Sequence, residues 1–375
     1  MSLFGNKGEN IAVVDVHSSS VGAAYMAIDA KGALELIHQV RLPVAPNATE
    51  PLEEALPRTL EAVLNALVRD GAPLLRKATT SGSVSRVFAT LASPWQSAAV
   101  RNRVIEPGKS FVFTRELAQM STEPFPEGMA AASEFIIATL LNGYEVASPF
   151  GKKAERAELI TLSAALSTDV EDMAEKAIRK ALHQHRIEWN AFLPEAYAAL
   201  RDLYPHQRDF LFIDVSGEAT DALLVKHGIL VSAASMPHGI GEVARVARTA
   251  GFFTPGTPDV TDAPLLDPSR NTSFAGRTGE AKAAWIAEAH AWLNTIACQE
   301  PLPRTVLLLA DDSVRDFVRN LLDAEELRSL WLSDESLSIV PIAGAQFASV
   351  IAAPKEVLPD PALALLAIAA AKGDV

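Results

Sequence analysis

The stretch Phe210-Leu211-Phe212-Ile213-Asp214-Val215-Ser216-Gly217-Glu218-Ala219-Thr220-Asp221 decides the fold. Its unbroken apolar run to Ile213 has the length of a strand buried on both faces. Small and polar residues from Ser216 to Thr220 make a tight turn, Asp221–Lys226 resumes the strand, His227-Gly228 turns it, and Ile229–Ala234 runs back towards Pro237. The same order stands near the N-terminus. Ile11–Asp15 is an apolar strand ending in aspartate, His17-Ser18-Ser19-Ser20 a polar turn, Val21–Ile28 a second strand, Asp29-Ala30-Lys31-Gly32 a turn and Leu34–Val40 a third strand, with Pro43 beyond it. Two copies, one per half, predict an α/β fold of two homologous lobes facing each other across a cleft.

The turns carry the candidate chemistry. A tight hairpin of small residues aims backbone N–H groups into a concavity that holds anionic oxygens, and serine hydroxyls add donors. An aspartate beside such a turn holds a hydrated Mg²⁺ that offsets phosphate charge. Asp15 and Asp214 are therefore the candidate metal residues, acting through water. His17, Ser18, Ser19, Ser20, Ser216, Gly217 and Thr220 are candidates for binding a nucleotide. Pro237-His238-Gly239-Ile240-Gly241 adds Gly239 and Gly241 at a turn from strand into helix.

Between and beyond the copies, Glu50–Arg69 carries helical spacing at Leu52, Leu56, Leu60, Val63, Leu64 and Leu67, and Val84–Ala92 reads as a strand. From 94 to 165, charged and proline-rich pieces alternate with short strands at Phe111–Thr114, Phe135–Leu141, Tyr144–Val146 and Glu158–Ala165, the texture of an inserted module. Helices are expected at Asp169–His185, Gly241–Ala250, Glu280–Ala297, Ser313–Leu322 and Pro361–Ala371, strands at Thr305–Ala310 and Leu337–Pro341, and irregular chain at Thr254–Arg277. The expected organisation is lobe 1 at 1–93 and 166–208, closed by a C-terminal helix at 360–372, the module at 94–165, and lobe 2 at 209–359.

With 375 residues the chain is long enough for two cores. A net charge of −13 argues against nucleic acid as a partner. The single cysteine, Cys298, excludes an internal disulfide and suits a reducing compartment; the apolar Trp292, Leu293 and Ile296 before it suggest a buried position. Met1–Asn10 has no signal-peptide core and Leu363–Ala371 is too short to span a membrane, so a cytoplasmic protein without direct membrane insertion is expected. His183 and His185 fall on different helix faces, which disfavours a metal pair. No Gly-x-Ser-x-Gly or Gly-Lys-Ser/Thr loop appears, which disfavours serine hydrolases and P-loop enzymes.

Asp15-Val16-His17-Ser18-Ser19-Ser20-Val21 resembles the first phosphate motif of the actin/Hsp70-type ATPases, most nearly in the bacterial FtsA/PilM branch. Ile213–Asp221 resembles the second phosphate motif, and Leu193-Pro194-Glu195-Ala196-Tyr197-Ala198-Ala199 the connecting helix, which makes Glu195 the counterpart of a water-positioning catalytic residue. Asn142-Gly143-Tyr144-Glu145 resembles part of the inserted SHS2 module. The resemblance covers nearly the whole chain in order. It implies a two-lobed, duplicated ribonuclease H-like fold with an SHS2-like insertion. It also implies ATP and Mg²⁺ in the cleft, at most slow ATPase activity, and a scaffold or adaptor role in cell division, which the Asn142-Gly143-Tyr144 signature favours, with a PilM-like platform for type IV pilus assembly as the alternative.

The implied partners are a tubulin-like division protein or an inner-membrane pilus component, with self-association open. A nucleotide-free interaction protein and a sugar-kinase-like enzyme are the alternatives on the same scaffold. The chain departs from the family pattern at His17, Ser216 and Glu218, which replace glycines, and at Ala310-Asp311-Asp312, where an adenosine-side glycine loop would stand.

Overall fold

The computed structural model describes residues 8–46, 50–79, 82–118, 125–241, 243, 272–331 and 337–372, with side chains of the long C-terminal-half helix described from 279 onward. Strands β1 (Glu9–Val16), β2 (Ser20–Ile28), β3 (Leu34–Pro43), β4 (Arg86–Leu91), β11 (Ile187–Ala191) and β17 (Ile351–Ala352) form one sheet in the order β11-β4-β1-β2-β3-β17. A second sheet, of β12 (Phe210–Val215), β13 (Thr220–Lys226), β14 (Ile229–Met236), β15 (Thr305–Ala310) and β16 (Ser338–Pro341), runs β14-β13-β12-β15-β16. In each, the first three strands are antiparallel and the next two join in parallel. The duplication read from the sequence is thus a duplication of topology.

The alternation of each central strand explains the layering. Ile11 and Val13 face one cluster and Ala12, Val14 and Val16 another. In the second lobe Phe210 and Phe212 face the first cluster, while Leu211, Ile213 and Val215 face a third. The shared cluster is filled by α3 (Phe192–Leu203) and α6 (Pro361–Lys372), so one core joins both sheets. All of Ala362 to Ala370 is buried, which is why this helix is apolar all round. Asp360 caps it, accepting the Leu363 N–H at 3.0 Å.

On the outer face of lobe 1, α1 (Leu52–Ala66) continues through a π-helical turn at Leu67–Gly71 to Ala78 and packs on α2 (Thr168–Leu182). Lobe 2 carries α4 (Thr272–Ala297) and α5 (Arg315–Leu322). The insertion is a four-stranded sheet ordered β5 (Gln96–Ile105), β10 (Ala157–Ser167), β7 (Met129–Leu141), β8 (Tyr144–Glu145), beside a small ribbon of β6 (Phe111–Val112) and β9 (Lys153–Ala154).

Several expectations change. β5 and β11 escaped the reading because both are half-exposed and carry charged residues, Arg101 and Arg103 in one and Glu188 in the other. The expected irregular segment to Arg277 turns helical at Thr272. The expected Gly241–Ala250 helix lies mostly outside the described residues. Cys298 is exposed, not buried, because the buried stripe of α4 (Trp285, Ala289, Leu293, Ile296) ends before it. Because β17 pairs with β3, the chain is back in the lobe 1 sheet by Ile351, before residue 360. Among the described residues no helix is long and apolar enough to cross a membrane.

Candidate functional site

Strand register builds the site. In lobe 1, Thr90, Asp15, Gly22 and Arg41 lie side by side across β4, β1, β2 and β3. Neighbouring strands lie about 4.8 Å apart, so a side chain from β3 reaches β1 only if nothing stands on β2 between them. Gly22 leaves that gap: a Cβ there would come within 2.6 Å of the Arg41 guanidinium. Arg41 accordingly crosses it to donate to Asp15 at 2.7 Å and to Ser20 Oγ at 2.9 Å, and it grips Asp360 through two bonds of 2.6 and 3.0 Å. Thr90 Oγ1 donates to the other Asp15 oxygen at 3.2 Å.

The matching rung in lobe 2 is Leu309, Asp214, Asp221 and Ser235. Asp221 takes Gly22's place, seven residues after the strand-end aspartate in each copy. It accepts from Ser93 Oγ at 2.8 Å, from Gln96 Nε2 at 2.9 Å and from Ser235 Oγ. This group ties lobe 2 to the chain entering the insertion.

The two copies meet at His17. Its Nδ1 lies 2.9 Å from an Asp15 carboxylate oxygen and its Nε2 3.0 Å from one of Asp214, while the Phe192 ring packs edge-on against it at 4.4 Å. An imidazole bonded to a carboxylate at both nitrogens is doubly protonated. Burial disfavours that charge, but Asp15 and Asp214 outweigh it and hold the His17 pKa well above the ordinary histidine value. Burial likewise pushes the Asp15 carboxyl up, and His17 and Arg41 pull it further down, to about 2. Arg41 is desolvated too, yet Asp360 and Asp15 strengthen its hold on the proton. Burial, then the neighbouring Asp214, raise Asp221 to about 6 against its three hydrogen bonds.

The turns themselves are bonded to each other. Ser18 Oγ and Ser216 Oγ lie 2.8 Å apart, the Glu218 N–H donates to Ser18 Oγ at 3.0 Å, and Ser20 Oγ donates to Asp311 at 3.0 Å. A Cβ on Gly217 would lie 3.1 Å from the Ser18 carbonyl oxygen. His17 and Ser216 hold equivalent places, each closing its turn by an N–H bond of 3.0 Å to the carbonyl three residues on.

The remaining sequence-derived residues lie in and around the same turns. Ser19 accepts the Val44 N–H through its carbonyl at 2.8 Å, and Thr220 Oγ1 donates to the His238 carbonyl at 2.8 Å. The Gly241 N–H donates to the Gly217 carbonyl at 2.7 Å, and Ala310 ends β15 opposite Val215. Glu195 is buried in the first turn of α3. Gly239 is required by closeness, since a Cβ would stand 2.3 Å from the Ser216 carbonyl oxygen and 2.4 Å from that of Gly217. Gly239→Ala is therefore expected to lower stability by about 1–3 kcal/mol, readable as a lower denaturation midpoint, because backbone must move.

The expected ATP and hydrated Mg²⁺ do not fit this arrangement. The space between Asp15 and Asp214 holds the His17 ring, Asp15 accepts protein donors at both oxygens and Asp214 accepts His17 at one, and the turns that should cradle phosphate cradle each other. The sequence reading found His17 and both aspartates but missed Arg41 and Thr90 as partners of Asp15, Asp360 as the partner of Arg41, Asp311 as that of Ser20, and the place of Asp221 beside Asp214. A glycine inside the otherwise apolar β2 was the available signal for Arg41.

No family model matches the sequence, and no curated protein is matched by it. Among solved structures the chain is similar to a PilM-PilN type IV pilus biogenesis complex, at 15% identity over 98% of both chains with a TM-score of 0.57. It also aligns with a protein of actin-like ATPase fold from Bacteroides thetaiotaomicron (11% identity, 98% of both chains, TM-score 0.41). A third alignment is with the ethanolamine utilization protein EutJ from Carboxydothermus hydrogenoformans, at 12% identity, 96% of this chain, 89% of the other and a TM-score of 0.40. The first likeness and the duplicated strand register together give the chain a two-lobed actin-like fold.

Proposed function

We propose that the chain is a PilM-like scaffold of type IV pilus assembly, held at the inner face of the membrane by a protein partner and not by nucleotide turnover. The observation that supports it most is the likeness to the PilM-PilN complex over 98% of both chains, which takes in the inserted sheet as well as the lobes. In this reading 94–165 is the SHS2-like contact module. Its β7 pairs with β10 along its length but with β8 only at Leu140 and Leu141, and Thr139 accepts the Val146 N–H, so the edge from Met129 to Ala138 has no strand partner among the described residues. That edge is mostly apolar, apart from Ser133 and Glu134, and carries the exposed Ile136, which suits addition of an extended segment of a partner.

The division-type reading rested on Asn142-Gly143-Tyr144-Glu145. Turn geometry accounts for the first two residues: φ is 53° at Asn142 and 85° at Gly143, the pair of positive values that a tight β-hairpin demands. Asn142 Oδ1 also accepts the N–H groups of Glu155 and Arg156. Neither needs a division partner to explain it.

The test is binding of the cytoplasmic tail of an inner-membrane pilus component from the same organism, measured by fluorescence anisotropy. Saturable binding weakened at least tenfold by Ile136→Lys is expected. Absence of binding to that tail, with binding to a tubulin-like division protein instead, would replace the pilus role by the division role.

A further inference from the structure

We infer that the interlobe cleft is self-liganded: the His17 imidazolium stands in for the cation that would bridge an actin-like cleft and clasps the lobes together without any nucleotide, while the Arg41 guanidinium anchors Asp15 on the first lobe's side. Facing carboxylates on two rigid lobes repel unless a positive charge lies between them. In a nucleotide-dependent cleft that charge arrives with the ligand and leaves with it. Here it is covalently part of the chain.

Four features make this a built device and not one adventitious bond. His17 reaches Asp214 on the other lobe and Asp15 on its own, at 3.0 and 2.9 Å, and all three side chains are buried. Gly22 keeps a channel on β2 open for Arg41, which fixes Asp15 to Asp360 at the head of the closing helix α6. Serine hydroxyl bonds complete the seal, Ser18 to Ser216 and to the Glu218 N–H, and Ser20 to the Asp311 carboxylate. Finally, His17 holds in lobe 1 the place that Ser216 holds in lobe 2. One substitution in one copy of a symmetric turn supplies the bridging charge, while the small serine opposite leaves it room.

The consequence is a platform whose lobe closure is constant, set by its own side chains and not by ATP level. The inference does not depend on which partner the scaffold carries, so failure of the pilus reading and failure of this one are separable.

Hydrogen exchange of the full chain, with and without 5 mM ATP–Mg²⁺, tests it. The Glu218 amide is the reporter, because its N–H is bonded across the cleft. In the wild type, slow exchange at Glu218 and an unchanged melting temperature on adding ATP–Mg²⁺ are expected. His17→Asn, which cannot span both carboxylates, and Gly22→Ala, whose methyl displaces only the far end of Arg41, are each expected to speed Glu218 exchange at least tenfold. The second variant keeps the test decisive should the first fail to fold. A melting temperature raised by ATP–Mg²⁺, or Glu218 exchange unchanged in the variants that fold, would overturn the proposal.

Discussion

His17→Leu is expected to destabilise the protein by about 3–5 kcal/mol, the cost of removing one partner from a buried ionic cluster. Leucine nearly conserves volume, so packing against Phe192 persists while Asp214 loses its buried cation and Asp15 keeps only Arg41 and Thr90. The pH dependence of the difference carries the signature. The His17 pKa is raised on folding, so its contribution is complete below the unfolded histidine value of about 6.5 and is lost as pH rises through the higher folded value. The Asp15 pKa is lowered, so its contribution is complete above about 4 and is lost as pH falls towards 2. Denaturation of wild type and variant should therefore diverge most between about pH 4 and 6.5 and converge in alkali. A difference that stays constant through the alkaline range would point to packing, not charge.

The second large effect is at Arg41. Arg41→Met keeps the apolar stem and removes the guanidinium, leaving Asp15 and Asp360 with one cation fewer. Arg41 is partly exposed, so the expected loss is about 2–4 kcal/mol, below that of a fully sealed ion pair. Arg41→Lys should recover only part of it, since a single ammonium cannot make the paired bonds to Asp360 while also reaching Asp15 and Ser20. A lysine variant as stable as the wild type, by thermal melt, would show that charge alone suffices.

Much of this molecule was legible in its sequence, and particular residues show why. The strands ending at Asp15 and Asp214 announced themselves because strands buried on both faces read as unbroken apolar runs, and the two copies confirm each other. The confrontation of the two aspartates followed from that duplication. What sat between them did not. His17 was read as a nucleotide-binding candidate standing where the family has glycine, whereas it bonds one aspartate of each lobe.

Arg41 belongs to a strand whose distance from Asp15 in sequence says nothing of the register that places them two strands apart. Asp360 was read as a helix start, which it is, but its second role depends on α6 returning to the first lobe. β5 and β11 were missed because a half-exposed strand with charges on its wet side lacks the continuous apolar signal.

The most direct measurement is the ionisation of His17 itself, by nitrogen NMR of protein labelled at histidine. A clasped cleft predicts that both ring nitrogens carry protons at pH 7.5 and that adding ATP–Mg²⁺ leaves the signal where it was. A ring that titrates near pH 6.5, or one whose resonance moves when the nucleotide is added, would contradict it.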